Sequence, residues 1–196
     1  GMGRPKDFET DEVLDRAAEV FWRAGYEATS ILELEAATGL GRGSLYNAFG
    51  DKEGLFLAVL DRYQKTFGGP PLAQLEHEDV GEGIRLMLLA IVERMSCPDV
   101  PAGCLMTNST VACTGNTTPI ESAVSSNISN MESRVELAIK HAIDTKQIPA
   151  TTDAQQLARY YVAVAMSLGV VHKACADVAW LHDIVEAAMR TWPRRP

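Results

Sequence analysis

Long apolar runs, strand patterns and catalytic motifs are all missing from this chain. No apolar stretch approaches the roughly 20 residues that a membrane span requires, and the amino end shows no secretory signal pattern. Apolar residues nowhere alternate with a period of two, so helices are expected throughout. We therefore expect an all-α protein of the cytoplasm that has no membrane partner.

Catalytic signatures are absent from the sequence as well. The histidines are scattered, and neither GxSxG nor HExxH occurs. We expect no catalytic residues and no enzyme. An all-helical enzyme that uses a C-terminal cavity is the alternative, because catalytic groups are assembled in space rather than in sequence.

Cysteine is scarce and its spacing does not suit metal chemistry. Cys97, Cys104, Cys113 and Cys175 form no CxxC pair and have no histidine at a metal-ligand spacing. We expect four buried free thiols, no metal site and no cofactor.

Basic residues are outnumbered by acidic ones. The net charge is -8, and residues 1–65 hold eight Lys or Arg against twelve Asp or Glu. Because neutralisation of phosphates supplies much of the affinity for DNA, this balance argues against a nucleic-acid binder. A DNA-binding surface would therefore depend on a few well-placed cations, with a shallow salt dependence.

The sequence does contain two short helices joined by a glycine turn. Ser30 and Glu33 have the spacing of a capping box, which starts a helix. Gly39 can adopt the left-handed conformation that ends this helix. A second helix begins near Gly41, and its length suits a DNA major groove.

The second helix separates apolar from polar side chains. Leu45 and Phe49 are expected to be buried, whereas other faces carry groups that can hydrogen-bond bases or phosphates. Those groups are Arg42, Ser44, Tyr46 and Asn47. The pattern predicts a DNA-reading pair of helices.

Cations occupy selected places around this pair. Arg42 opens the reading helix and Lys52 opens the next one, while Arg4 lies on a GRPK arm that could enter a minor groove. The acidic side chains of the first helix can face away from DNA; they are Asp11, Glu12, Asp15 and Glu19.

Further helices are predicted along the rest of the chain. Thr10 is predicted to cap a first helix that Gly25 ends, and Asp51 to cap a helix that stops around residues 68–71. Later helices are predicted at 81–96, 103–113, 119–146, 153–173 and 177–192. We place a DNA-binding domain at 1–50 and a helical domain at 51–196, with helix 51–67 connecting them.

These motifs resemble the TetR family of transcriptional regulators. The resemblance is strongest from Gly3 to Tyr63, where GRPKDF, AAEVFWRAGYEATS and TGLGRGSLYNAFGDKEGLF follow the family's pattern in order and spacing. It implies a three-helix DNA-binding domain followed by a larger helical domain that binds a small molecule and forms a homodimer. It also implies phosphate contacts from Thr29, Ser30, Tyr46 and Lys52, and contacts to base edges or nearby backbone from Arg42, Ser44 and Asn47.

Three residues depart from the family pattern. Gly41 stands where many members have a capping Ser or Thr, and glycine offers no side chain to the helix end. Ala48 replaces a common aromatic residue or histidine, which removes a possible backbone contact. Glu35 replaces a small residue, so its side chain must point outward or find a partner.

The C-terminal half combines adaptable apolar side chains with a few polar groups, a mixture that suits a ligand pocket. The candidate lining residues are Met87, Met95, Met106, Thr107, Asn108, Tyr160, Tyr161 and Met166. A plain helical core is the alternative for each of them. The few charges in these stripes favour a neutral or weakly polar ligand.

The last two helices carry broad apolar stripes that we expect to form a dimer as a four-helix bundle. The stripes are Leu157, Tyr161, Val164, Ala165 and Leu168 on the first and Leu181, Ile184, Val185, Ala188, Met189 and Trp192 on the second. Packing within one chain is the alternative.

The sequence therefore predicts a ligand-responsive repressor that binds a palindromic DNA operator as a homodimer and is released by a small-molecule effector. A helical small-molecule-binding protein with weakened DNA binding is the alternative function.

Overall fold

The computed structural model describes residues 6–116 and 118–195, and every regular element within these ranges is helical. The prediction of an all-α fold is confirmed. The helices are α1 (Lys6–Ala24), α2 (Ile31–Thr38), α3 (Arg42–Phe49), α4 (Lys52–Tyr63), α5 (Val80–Met95), α6 (Leu105–Val111), α7 (Pro119–Asp144), α8 (Ala154–Cys175) and α9 (Val178–Met189). A π-helical turn (Gln64–Gly68) extends α4, and a 3-10 helix (Pro70–Glu76) precedes α5.

Polar caps set most of the helix ends where the sequence predicts them. Ser30 and Glu33 form both hydrogen bonds of a capping box at α2, and Gly39 ends that helix with a φ of 73°. Asp51 caps α4 by accepting the N–H of Gly54. The predicted cap at Thr10 is wrong, because α1 already begins at Lys6 and no glycine or proline interrupts the residues between.

Contacts divide the chain into two compact units. The first comprises the described residues up to Gly68 and those from Cys104 to Val124. The second comprises Gly69–Gly103 and the described residues from Ser125 onward. These units group residues by packing, and the functional boundary at residue 50 remains a prediction.

Aromatic rings form much of the core of the first unit. Phe21 of α1 meets Phe56 of α4 edge to face at a centroid distance of 4.8 Å, and Tyr26 lies 5.0 Å from the same ring. Trp22 packs edge to face against Tyr63 at 5.2 Å. These contacts hold α1 against α4, and α1 also packs against α2 and α6.

The core of the second unit lies among α5, α8 and α9. Trp192 lies so close to Gly81 of α5 that any side chain at Gly81 would overlap the indole ring. The Tyr161 hydroxyl lies 3.0 Å from the Thr191 hydroxyl, which donates its proton to the Ala188 carbonyl oxygen. Tyr161 is therefore the donor in that pair, and burial raises the pKa of its phenol.

The expectation of four buried thiols is wrong in part. All four cysteines are free, but Cys97 and Cys175 are exposed and the other two are half-buried. Cys175 is the last residue of α8. Within the described ranges, no helix has both the length and the apolar character that crossing a membrane needs.

Candidate nucleic-acid interface

Helix α3 exposes a polar face to solvent and buries its opposite face in the core. Leu45 has no solvent-exposed surface, while Arg42, Ser44 and Asn47 are exposed. Leu45 is thus a core residue, as predicted, whereas Phe49 is only half-buried. The three exposed side chains share a short helix whose position the Leu45 anchor fixes.

Two tyrosine rings support the cations of this surface. The Arg42 guanidinium carbon lies 5.5 Å from the centre of the Tyr46 ring, and the Lys52 ammonium lies 4.4 Å from the centre of the Tyr26 ring. Both distances are within the range of cation–π attraction. Burial, and then the nearby Glu53 carboxylate, raise the pKa of Tyr26, so its ring stays neutral at physiological pH.

The junction between α3 and α4 is tight. Gly50 ends α3 with a φ of 91°, and Asp51 caps α4 immediately afterwards. A side chain at Gly54 would overlap the carbonyl oxygen of Phe49. The missing side chain therefore lets the first turn of α4, with Lys52, approach the last turn of α3.

Most cations of the first unit are neutralised by acidic neighbours. Arg62 pairs with Asp15 and Asp11 at 3.1 and 3.4 Å, and the hydrogen bond that its guanidinium donates to Asp15 raises its pKa. Three further pairs are Arg16 with Glu12, Arg23 with Glu19, and Lys65 with Asp61. Among the described side chains of this unit, Arg42 and Lys52 are the two cations without an ion pair.

Gly41 and Glu35, two of the three residues that depart from the family pattern, both affect the start of α3. Gly41 is the N-cap residue of α3 and provides no side-chain hydrogen bond. The backbone N–H of Arg42 instead donates to the Glu35 carboxylate at 2.8 Å. Glu35 is half-buried, so it finds a partner rather than pointing freely outward.

The remaining predicted DNA contacts have different environments. Ser30 is exposed and its hydroxyl caps α2. Thr29 is buried, and its hydroxyl donates to the Gly25 carbonyl oxygen, so its side chain already serves the fold. Arg4 lies outside the described residues. The DNA roles of all these residues remain predictions.

Two family models match the chain. The model described as bacterial regulatory proteins, tetR family, matches residues 13–59, and the model described as the tetracyclin repressor-like C-terminal domain matches residues 82–188. The first match includes α2 and α3 whole, and the second covers more than half of the chain. The chain belongs to the TetR family.

Relatives and structures agree with this TetR-family assignment. The HTH-type transcriptional repressor ComR of Escherichia coli (strain K12) is 33% identical over 97% of this chain and 92% of its own. The uncharacterized HTH-type transcriptional regulator YezE of Bacillus subtilis (strain 168) is 31% identical over 96% of this chain and 98% of its own.

A solved TetR-family structure contains DNA. A cysteine mutant of the regulator CifR, complexed with 26-bp double-strand operator DNA, has a TM-score of 0.89 and 32% identity. The match covers 97% of this chain and 100% of that one. The present chain is a DNA-binding transcriptional regulator of the same family, as the sequence predicts.

The residues predicted to bind a ligand are divided between the two units. Met106, Thr107 and Asn108 lie on α6 in the first unit, where the Asn108 amide donates to the Trp22 carbonyl oxygen at 3.4 Å. The other five lie on α5 and α8 in the second unit. Met87, Met95 and Tyr161 are buried there, whereas Tyr160 is 41% exposed. Their role in a TetR-type ligand pocket remains a prediction.

The prediction that the apolar stripes of α8 and α9 form the dimer surface is wrong for several of their residues, which are not exposed. Tyr161, Leu168, Leu181 and Val185 are fully buried within the second unit, which is the intrachain packing that the sequence left as the alternative. Other apolar side chains of the same helices are exposed. We call this set the open face, and its members are Tyr160, Ala163 and Val170 on α8 and Trp180 and Ala187 on α9.

Sequence reasoning missed two residues that shape the candidate DNA-binding surface. Tyr26 supports Lys52, and Gly54 permits the close junction of α3 and α4. Tyr26 is 26 positions from Lys52, so no local pattern joins them. For Gly54 the signal was available, because glycine in the first turn of a predicted helix is costly unless another chain segment approaches it.

Proposed function

We propose that this regulator binds a two-fold-symmetric DNA operator as a homodimer and that a small-molecule effector releases it. Arg42, Ser44 and Asn47 of α3 read the major groove, while Tyr46 and Lys52 contact phosphates. The protein acts in the cytoplasm, where bacterial DNA is found. This proposal extends the regulator function that the family establishes.

The ion-pairing pattern is the observation that supports these contacts most strongly. Acidic partners occupy every described basic side chain of the first unit except those of Arg42 and Lys52. An acidic domain can bind DNA when its unpaired cations face the groove. Both cations lie at helix starts, Arg42 at the first residue of α3 and Lys52 at the first residue of α4.

The open face of α8 and α9 supports the homodimer. Trp180 is 52% exposed and Val170 is 48% exposed, although both are large apolar side chains. Ala163 and Ser167 lie between Tyr160 and Val170 at helical spacing and would let a partner helix approach closely. Association through this face would pair two α3 helices with two half-sites.

Selection of duplexes from a random pool tests the DNA proposal. We expect recovered sequences to contain two inverted half-sites and to bind two chains per duplex. Recovery of no preferred duplex, with the purified chain monomeric, would contradict the proposal and favour the alternative of a small-molecule-binding protein with weakened DNA binding.

Mass spectrometry of small molecules that co-purify with the protein tests the effector. A true effector should lower the affinity for the selected duplex, because it must bind the DNA-free arrangement more tightly than the DNA-bound one. An unchanged affinity with every bound compound would contradict release by a ligand.

A further inference from the structure

The first turn of α3 is capped from the preceding helix. Its own N-cap residue, Gly41, has no side chain, and its first turn contains no acidic residue. The Glu35 carboxylate fills this gap from α2 by accepting the Arg42 N–H at 2.8 Å. A negative charge at this end also interacts favourably with the positive end of the helix dipole.

We propose that Glu35 is a positioning residue for DNA reading, which replaces the missing cap of α3 and so fixes the point from which Arg42 projects. The inference rests on the proposed use of α3 in the major groove. It assigns Glu35 a role through Arg42 and no contact with DNA.

The position of the hydrogen bond explains why reading should depend on it. In a helix-turn-helix protein the N-terminal residues of the second helix contact base edges. Arg42 is the first residue of α3, which has only eight residues. A helix this short has little internal stability, so loss of a cap loosens its first turn before the rest.

The same carboxylate has an electrostatic cost. A negative charge at the DNA-facing end of α3 repels phosphates, whatever the base sequence. Glu35 therefore has two separable effects. Its acceptor oxygen supports discrimination between sequences, and its charge lowers affinity for all of them.

Three variants of the full-length chain separate these effects. Glu35→Gln keeps an acceptor but removes the charge, and Glu35→Ala removes both. The double variant Glu35→Ala with Gly41→Ser supplies a conventional cap from the N-cap residue itself. Glu19→Ala is the matched control, because it makes the same change in net charge at an exposed glutamate of α1.

Each variant is measured against the selected duplex and a shuffled duplex of the same length. We expect Glu35→Gln to raise affinity for both duplexes by roughly twofold and to lower the ratio of the two affinities less than Glu35→Ala does, because the acceptor remains while the interaction with the helix dipole is lost. Glu35→Ala should lower the ratio by about threefold to fivefold, the factor that a helix cap contributes, and the added Gly41→Ser should restore it. Glu19→Ala should leave the ratio unchanged.

Hydrogen exchange of the α3 amides without DNA tests the cap independently. Exchange should be faster in Glu35→Ala than in the wild type and should slow again in the double variant. Equal exchange in all three, or an unchanged ratio in Glu35→Ala, would overturn the positioning role. A wild type that prefers no duplex would instead refute the proposed operator binding, and the exchange experiment would still decide whether Glu35 caps α3.

Discussion

Tyr26 and Tyr46 place the two unpaired cations of the reading domain. Each ring lies under one cation, and neither cation has a carboxylate partner among the described side chains. A cation held over a ring keeps its hydrogen-bond donors available to an incoming phosphate or base. The domain can therefore be acidic overall and still offer positive charge at one surface.

Alanine substitutions should distinguish the roles of these cations. Lys52→Ala should weaken binding similarly on all duplexes and reduce the salt-dependence slope by about one per subunit. Arg42→Ala should cost roughly 1–3 kcal/mol and also relax the preference for one base. Fluorescence anisotropy at several salt concentrations measures both effects.

Arg16→Ala provides the control for this pair. Arg16 is exposed but bonded to Glu12 at 2.6 Å, so its removal should change neither the slope nor the base preference. If all three variants lost affinity uniformly, Arg42 would have no reading role.

His172 makes the second unit sensitive to acid. The residue is buried and its Nδ1 accepts the Gly103 N–H at 2.8 Å, while burial lowers its pKa below the ordinary value of 6.5. The unfolded chain therefore binds a proton at this histidine at pH values where the folded chain does not. The stability contribution is complete above about pH 6.5 and declines as the pH falls below it.

Thermal unfolding from about pH 8 to about pH 5.5 measures this sensitivity. His172→Asn keeps an acceptor near the Nδ1 position and removes the titration, so the melting temperature of this variant should fall less on acidification than that of the wild type. Equal falls in both proteins would show that His172 does not contribute.

Gly54 sets how closely α3 and α4 approach. Gly54→Ala should destabilise the protein by about 1–3 kcal/mol, because the added methyl group overlaps the Phe49 carbonyl oxygen and the helices must separate. The shift should also displace Lys52 and weaken DNA binding. Urea unfolding measures the change in stability.

Gly43→Ala is the matched control within α3. Nothing lies within 4 Å of an added methyl group there, so the substitution should stabilise the protein by about 0.5–1 kcal/mol through helix propensity. A similar effect from both substitutions would contradict the close junction.

Helix ends were predictable where a local signal exists. Ser30 with Glu33, Gly39 and Asp51 act through neighbours within a few positions, and each forms the predicted cap. Asp79 is a further N-cap, and the helix after it begins within one residue of its prediction. The 3-10 helix after Gly69 was not predicted, because consecutive prolines indicate a break in an α-helix without specifying the conformation of the next segment.

The candidate site was predictable as a set of residues but not as an arrangement. The exposed α3 side chains follow from helical period and the buried Leu45. The cation–π support of Lys52 and the bond from Arg42 to Glu35 join residues distant in sequence, which a single chain's pattern does not reveal. Likewise, apolar spacing alone did not distinguish the buried stripes of α8 and α9 from the open face beside them.

Assembly into a dimer should depend on that open face. Trp180→Glu should raise the dimer dissociation constant by about tenfold or more, because a charge replaces the large apolar side chain that α9 contributes to the proposed contact. Analytical ultracentrifugation over a range of protein concentrations measures it. The fold should survive, since Trp180 is 52% exposed.

Leu137→Glu on α7 is the control for the dimer prediction. Leu137 is 67% exposed and lies outside the open face, so the variant should remain dimeric. Dimers that persist in Trp180→Glu, or that disappear in both variants, would contradict association through α8 and α9.

The spacing between half-sites tests most directly whether two linked α3 helices read the operator together. Insertion of about five base pairs at the centre of the selected duplex turns one half-site to the opposite side of the DNA. Insertion of about ten base pairs returns both half-sites to the same side but separates them by one further helical turn. We predict that affinity for the five-base-pair insertion falls to the level of a single half-site. Unchanged affinity for that duplex would contradict binding by a rigid two-fold dimer.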